Sequence, residues 1–338
     1  MHQTTTQGTR MSQQLPLPAE GDLCFDNTKL SRYKENPRKY YLRHVRGWTR
    51  LSDRKPLSLA FGEAWHSAMD AVWQPGPWDS TQNLIDKGME NFYTAWEGCG
   101  YSRQPRLDEM KEWGNRNPGV AHEMLYNYVV TRERMIREGT TLAIEKPIAM
   151  PIPGMEGVWY IGRLDKVVEY NGVHILEHKT TSMYSIEGTF RSDYIESWGS
   201  APQVKGYQVV GSLYFPDLQD VWVDCALVHK SRHDGFKFVP IAHSWPILEA
   251  WVRDTKSWIE RIQRDMANLQ EYGDLKHGAF PDNEDSHFGK YGKDSFLDVY
   301  NAYGDPSELQ EPPPGFVVDR WEPFDTFNLK NLSKEEAA

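Results

Sequence analysis

The chain has 338 residues, with 39% apolar, 25% charged and 13% aromatic side chains and a formal net charge of −10. That length suffices for one large domain or two ordinary ones and for a substantial core, and the 13 tryptophans and 17 tyrosines exclude a disordered chain. The negative balance excludes a protein that coats nucleic acid through a general basic surface, but it leaves room for a local basic groove.

Cys24, Cys99 and Cys225 lie far apart and form no C-x-x-C pair, which points to a reducing compartment without a disulfide framework. No apolar run approaches the roughly 18 residues of a membrane span. The N-terminal residues, MHQTTTQGTRMSQQLPLPAEGD, lack the apolar centre of a secretion signal. A soluble cytoplasmic protein with no membrane partner is therefore expected.

Residues 1–22, rich in Gln and Thr, read as a disordered tail. TKLSRYKENPRKYYLRHV, from Thr28, reads as two short helices broken at Asn36-Pro37, because a residue before proline avoids the helical region. LAFGEAWHSAMDAVW follows, with Leu59, Trp65, Met69 and Val72 on one helical stripe. A helical insertion is expected at about 75–139, with Leu84, Met89, Phe92 and Trp96, then Met124, Tyr128 and Met135, as its apolar positions. At Thr140 the period changes to that of strands, and TTLAIEKPIAM, GVWYIGRLDKVVEY and VHILEHKTT read as three of them. Asn171-Gly172 between the last two is a hairpin signal. SAPQVKGYQVVGSLYF returns to a helical pattern, with Pro202 suited to a first turn. QDVWVDCALVHKS and GFKFVPIAH read as two more strands around His233-Asp234-Gly235. A long helix begins at Pro246, its apolar face running from Leu248 through Trp251, Thr255, Ile259 and Ile262 to Met266 and Leu269. Residues 306–338 read as an irregular, Pro-rich, charged tail. The order implies a mixed α/β domain over about 23–305.

The hairpin carries an unusual set of charges. Alternate strand residues share a face, so Glu177 and Lys179 point together and His178 points away. Asp165 joins them only if the turn allows it. A two-residue loop at Asn171-Gly172 sets Asp165 opposite His178, whereas a three-residue loop, Tyr170-Asn171-Gly172, with Gly172 left-handed in a bulge, sets it opposite Glu177. The local residues suit both turns. The second would bring two carboxylates and an ammonium together, a donor set that suits Mg²⁺ or Mn²⁺ and phosphodiester hydrolysis. Upstream, FGEAWH places His66 on a helix; downstream, Gln203 and Tyr207 are four apart on one helix face, able to reach a backbone phosphate or sugar.

Taken in order, G-x-x-x-H (Gly62, His66), G-x-x-D (Gly162, Asp165), E-x-K (Glu177, Lys179) and Q-x-x-x-Y (Gln203, Tyr207) resemble the RecB-like branch of the PD-(D/E)XK nucleases, over roughly residues 25–300. TKLSRYKENPRKYYL is similar to that branch's opening helix. The resemblance implies a restriction-endonuclease-like core, with His66, Asp165 and Glu177 as metal ligands and Asp165, Glu177 and Lys179 as the catalytic residues. It implies that Lys179 serves the attacking water and that Gln203 and Tyr207 contact DNA. Many members tie the first helix to the C-terminal segment with a four-cysteine iron–sulphur cluster. Here the corresponding positions are Asn36, His287, Ser295 (or Asp294) and Tyr300, so no cluster is expected, and packing and hydrogen bonds must do the tethering.

No G-x-x-x-x-G-K-[ST] motor motif occurs. The resemblance implies a metal-dependent DNA exonuclease acting at DNA ends or on single strands, in recombination, repair or phage DNA metabolism. A bacterial or phage-infected cytosol and a recombination or replication protein as partner fit such a role. A structure-specific endonuclease or RNase of the same fold, and a non-catalytic DNA-end-binding module, are the alternatives. In the insertion, Arg103, Arg106, Lys111, Arg116, Arg132, Arg134 and Arg137 either line a strand channel or form a solvated helix face.

Overall fold

The computed structural model describes residue 15 and residues 17–289 and 292–326. Along the chain it forms β1 (Leu23–Phe25), α1 (Asn27–Glu35), α2 (Pro37–Tyr40), β2 (Trp48–Arg50), α3 (Leu57–Val72), α4 (Thr81–Gly98), α5 (Leu107–Trp113), α6 (Pro118–Glu138), β3 (Thr140–Pro151) and β4 (Val158–Glu169). It continues through β5 (Val173–Thr181), α7 (Ser192–Ser197), α8 (Pro202–Tyr214), β6 (Leu218–Leu227), β7 (Phe236–Ile241) and α9 (Trp245–Tyr272). Short elements close the chain: β8 (Phe288–Gly289), β9 (Gly292–Lys293), α10 (Leu297–Ala302) and β10 (Phe316–Val318).

Six strands make a mixed sheet in the order β1-β4-β5-β6-β7, with β3 antiparallel to β4. One core layer joins the sheet to α1, α8 and α9, and includes Val167, Ile175, Val204, Val223, Trp251 and Ile259. The other joins it to α3, α4 and α6, and includes Phe61, Trp65, Phe92, Met124, Tyr128, Val168 and Leu176. The alternation of Val167 with Val168, and of Ile175 with Leu176, across these two layers is the period of a strand buried on both faces.

The feature that positions the site is a fork. On its second edge, β4 pairs in parallel with β1 from Val158 to Tyr160 and antiparallel with β5 from Lys166 to Glu169. Between those two stretches, Ile161 to Asp165 have no strand partner on that edge among the described residues, and a cleft opens there. The β4–β5 turn is the three-residue loop, because Glu169 pairs with Val173 and the Tyr170 N–H donates to the Gly172 carbonyl at 2.8 Å. The left-handed residue is Asn171 (φ 55°), while Gly172 takes φ 143°. This differs from a left-handed Gly172, though only glycine takes that second conformation without strain.

Asn36 serves two helices. It ends α1 in an extended conformation, and its Oδ1 accepts from the Arg38 N–H at 2.9 Å to start α2. Its Nδ2 donates to Asp282 Oδ1 at 2.8 Å and to Ser286 Oγ at 3.1 Å. His287 bonds the same Asp282 and stacks on Tyr300, whose ring centroid lies 4.6 Å away. Lys39 pairs with Asp294 at 2.8 Å, and Tyr300 Oη reaches Asp294 Oδ1 at 3.4 Å. Asn36, Asp282, His287, Asp294 and Tyr300 thus meet in one polar and aromatic knot. Cys24, Cys99 and Cys225 are all buried and unpaired.

Several expectations are corrected. Leu59 leaves the α3 stripe and is 61% exposed, the core positions there being Ala60, Phe61 and Ala64. Met266 is 41% exposed, and its neighbour Asp265 turns inward instead, accepting from Tyr33 Oη and the Phe280 N–H. The irregular C-terminal tail contains β10, which pairs with β2 and buries Phe316. Of the expected N-terminal tail, Leu17 packs on the sheet and Asp22 accepts from the Trp159 indole at 2.8 Å. Residues 1–14 and 327–338 lie outside the described residues. Among the described residues no helix is long and apolar enough to cross a membrane.

Candidate active site

Where β4 and β5 diverge, Asp165 stands across from Glu177. Its Oδ2 accepts from the His178 backbone N–H at 2.9 Å, so a side chain replaces the ladder bond that the fork removes. His66, brought in on α3, places Nδ1 at 3.2 Å from the same oxygen. Lys179 Nζ donates to Glu177 Oε1, which also accepts from Gln203 Nε2 at 3.0 Å. Gln203 Nε2 contacts Tyr207 Oη at 2.8 Å, and that hydroxyl donates to the Arg163 carbonyl at 2.8 Å. All six expected residues therefore lie in one cluster.

Asp165, Glu177, Lys179, His66, Gln203 and Tyr207 line a cleft of about 240 Å³ together with Asp26, Asn27 and Thr28 at the start of α1. A wider groove of about 670 Å³ adjoins it through His66, Arg163 and Lys179 and runs along α3 past Leu59, Glu63 and Asp70. Tyr207 packs close over β4 at Gly162, where a Cβ would lie in ordinary van der Waals contact with Tyr207 Cε1 at 3.4 Å.

Burial and mutual charge set the protonation states. Burial pushes Glu177 up to about 7, and the Asp165 carboxylate adds to the effect. Burial acts on Asp165 too, but His66 and Lys179 outweigh it and hold its carboxyl below the usual carboxylate range. His66 and Lys179 are both raised, because the carboxylates outweigh the burial that disfavours their charge.

Glu177 is 1% exposed, and among the described residues its Oε2 has no hydrogen-bond partner. A buried carboxylate oxygen in that state is costly unless a cation or donor meets it. Two carboxylates with an imidazole beside them suit a hard divalent cation. Among the described residues, however, no three His, Cys, Asp or Glu side chains form a preformed cage. The fit lies in the donor chemistry, with His66 turned onto Asp165.

Other residues escaped the motif reading. Lys166, fully buried on the opposite face from Asp165, pairs with Asp70 at 2.6 Å. Asp70 follows His66 by four residues, a helical spacing that was a usable signal. Behind the hairpin, His178 Nδ1 meets Asp224 Oδ2 at 3.1 Å, and Tyr128 Oη donates to the same oxygen at 2.5 Å. That buried set fixes β5 from its rear. Glu145, on β3 beside Asp165, holds the left-handed φ of 48° and pairs with Arg163 at 2.7 Å, a strained conformation of the kind that collects at functional sites.

The family model described as the PD-(D/E)XK nuclease superfamily matches residues 27–281. The chain belongs to that superfamily, whose members generally use divalent metals and act on nucleic acid. Among solved structures, the chain is similar to a "Putative exonuclease" from Eubacterium rectale, with 13% identity and a TM-score of 0.42 over 71% of this chain and 79% of that one. It is also similar to SSO0001, with 13% identity and a TM-score of 0.24 over 53% of this chain and 85% of that one. No curated protein matches.

Proposed function

We propose that the protein is a Mg²⁺- or Mn²⁺-dependent deoxyribonuclease of the RecB-like branch, working as an exonuclease on DNA ends or single strands. The observation that carries this reading is the alignment of Asp165 with Glu177 in one cleft, with Lys179 on Glu177 Oε1 and Glu177 Oε2 unpartnered. His66, Asp165 and Glu177 would hold the cation, which when bound supplies a Lewis acid and an acidified water.

The chain's own residues do the rest. Lys179, kept charged by the two carboxylates, orients the attacking water or stabilises charge on the phosphorane. Gln203 restrains Glu177, and Tyr207 locks Gln203 to the β4 backbone. This gives the pair a role in holding the carboxylate as well as any contact with DNA. His178 anchors Asp165 through its backbone and the strand through Asp224. The G-x-x-x-H and Q-x-x-x-Y motifs support the RecB-like branch, and the 23–305 span supports one nuclease domain with an inserted helical segment.

End-labelled single-stranded DNA, duplex DNA and RNA, each with Mg²⁺, Mn²⁺ or EDTA, test the proposal. Metal-dependent shortening from an end is expected. Internal cuts only, or cleavage of RNA alone, would replace it with the endonuclease or RNase reading; binding without cleavage in either metal would leave an end-binding module.

A further inference from the structure

Most basic side chains of the helical insertion are already neutralised within the protein. Arg103 pairs with Glu90, Arg106 with Asp108 and Glu109, Arg134 with Glu138, and Arg137 with Glu133. Arg132 lies 3.6 Å from the buried Asp224 and over the Phe238 ring. Those arginines are structural, or they belong to a solvated face.

Arg116 differs. It sits in the short connection between α5 and α6, half-buried, and has no ion pair with a carboxylate among the described residues. Among the described residues its side-chain partner is neutral: Nη2 donates to Ser182 Oγ at 2.9 Å. Burial weakens its hold on its proton, with no acidic neighbour to restore it. A half-buried guanidinium without a counter-anion is a poor structural device, because its desolvation is not offset. Its place is informative as well. Ser182 follows β5, two residues beyond Thr180, which lines the wide groove, and three beyond Lys179. At about 3.3 Å per extended residue, Ser182 is roughly 10 Å of chain from Lys179.

We infer that Arg116 is a substrate-positioning residue, the point at which the insertion grips a phosphodiester of the nucleic-acid strand flanking the scissile bond. The anion it lacks in the protein is supplied by the substrate, and Ser182 restrains the guanidinium beside the end of the strand that carries Lys179. This rests on the nuclease reading above.

The test measures binding of an end-labelled single-stranded DNA oligonucleotide in EDTA across a salt series, with single-turnover cleavage in Mn²⁺ alongside. Arg116→Ala should weaken binding about tenfold at low salt and lower the slope of log affinity against log salt by about one. The maximal single-turnover rate should change little. Arg116→Lys should keep the slope, and Arg134→Ala, on the paired face, should match the wild type. Ser182→Ala removes the hydrogen bond but not the charge, so its slope should also stay. A wild-type slope in Arg116→Ala overturns the inference while leaving the nuclease reading intact. A slope lost equally in Ser182→Ala and Arg116→Ala overturns it in favour of a structural bridge. A wild-type protein that neither binds nor cleaves nucleic acid overturns the nuclease reading and this inference with it.

Discussion

In the Lys179–Glu177 pair one carboxylate oxygen is shared by two donors, while the other meets none among the described residues. Removing the amine and removing the carboxylate should therefore look different. Lys179→Ala should lower single-turnover cleavage by about 10²–10⁴-fold, the usual size of a proton-transfer contribution, with DNA affinity nearly unchanged. Asp165→Ala and Glu177→Ala should abolish cleavage and weaken Mn²⁺ binding in a calorimetric titration. Cleavage by Lys179→Ala at the wild-type rate would remove the hydrolytic mechanism. A second residue-scale effect concerns stability. Burial, then Arg32, holds His44 down at about 2, with Arg32 Nη1 lying 3.1 Å from its Nε2. The folded form keeps the imidazole neutral, whereas the unfolded chain protonates near 6.5. Proton uptake by the unfolded state then lowers stability as pH falls below about 6.5 and continues toward the folded value. The melting temperature should fall across pH 6.5 to 4, and His44→Gln should flatten that slope relative to the wild type. Glu177 and Lys179 were legible as a pair because strand alternation puts them on one face, whereas Asp165 joined them only through a turn whose length the local residues left open. Lys166–Asp70 and His178–Asp224 were not, because they depend on which helix and strand lie alongside.

At the scale of elements, α8 lies against the sheet through glycine. A Cβ on Gly206 would meet Tyr160 Oη at 2.5 Å and Trp251 at 3.0 Å, and both are buried rings packed edge to face. Gly206 stands between Gln203 and Tyr207, so any outward shift of the helix moves the two side chains that hold Glu177. Gly206→Ala should cost about 1–3 kcal/mol, read from the urea midpoint, and should slow cleavage in the protein that remains folded. At Gly211 the nearest atom is the end of the Ile175 side chain, which can turn aside, so Gly211→Ala should cost less. Equal losses at the two sites would contradict this account. The turn shows where local sequence stops: Asn171-Gly172 announced a hairpin, but its length followed only from the register of β4 on β5. α9 was visible from its 3.6-residue stripe, and its departure at Met266 was not, because Asp265 is drawn inward by Tyr33 and Phe280, distant in sequence.

Across the whole molecule, the two ends of the domain are stitched at Asn36, which is fully buried. Asn36→Ala would leave Asp282 and Ser286 without that donor and the start of α2 without its cap. A loss of about 2–4 kcal/mol is expected from these combined effects, measured by denaturant unfolding. Cys24→Ser, Cys99→Ser and Cys225→Ser, made singly, should keep cleavage, since none of the three lines the cleft, and Ser in place of Cys225, the β6 neighbour of Lys179, keeps its size. β1, β2 and β10 were illegible in the sequence because three residues carry no readable period and their partners are remote. The Asn36–Asp282 bond spans 246 residues, and Tyr33–Asp265 spans 232. On a ribosome adding about 5–20 residues each second, α1 therefore waits on the order of ten seconds or more before its partners emerge. Until then the buried faces of Tyr33, Tyr40 and Leu42 have no C-terminal cover, and a nascent chain cut short before residue 282 lacks the lock on its own first helix.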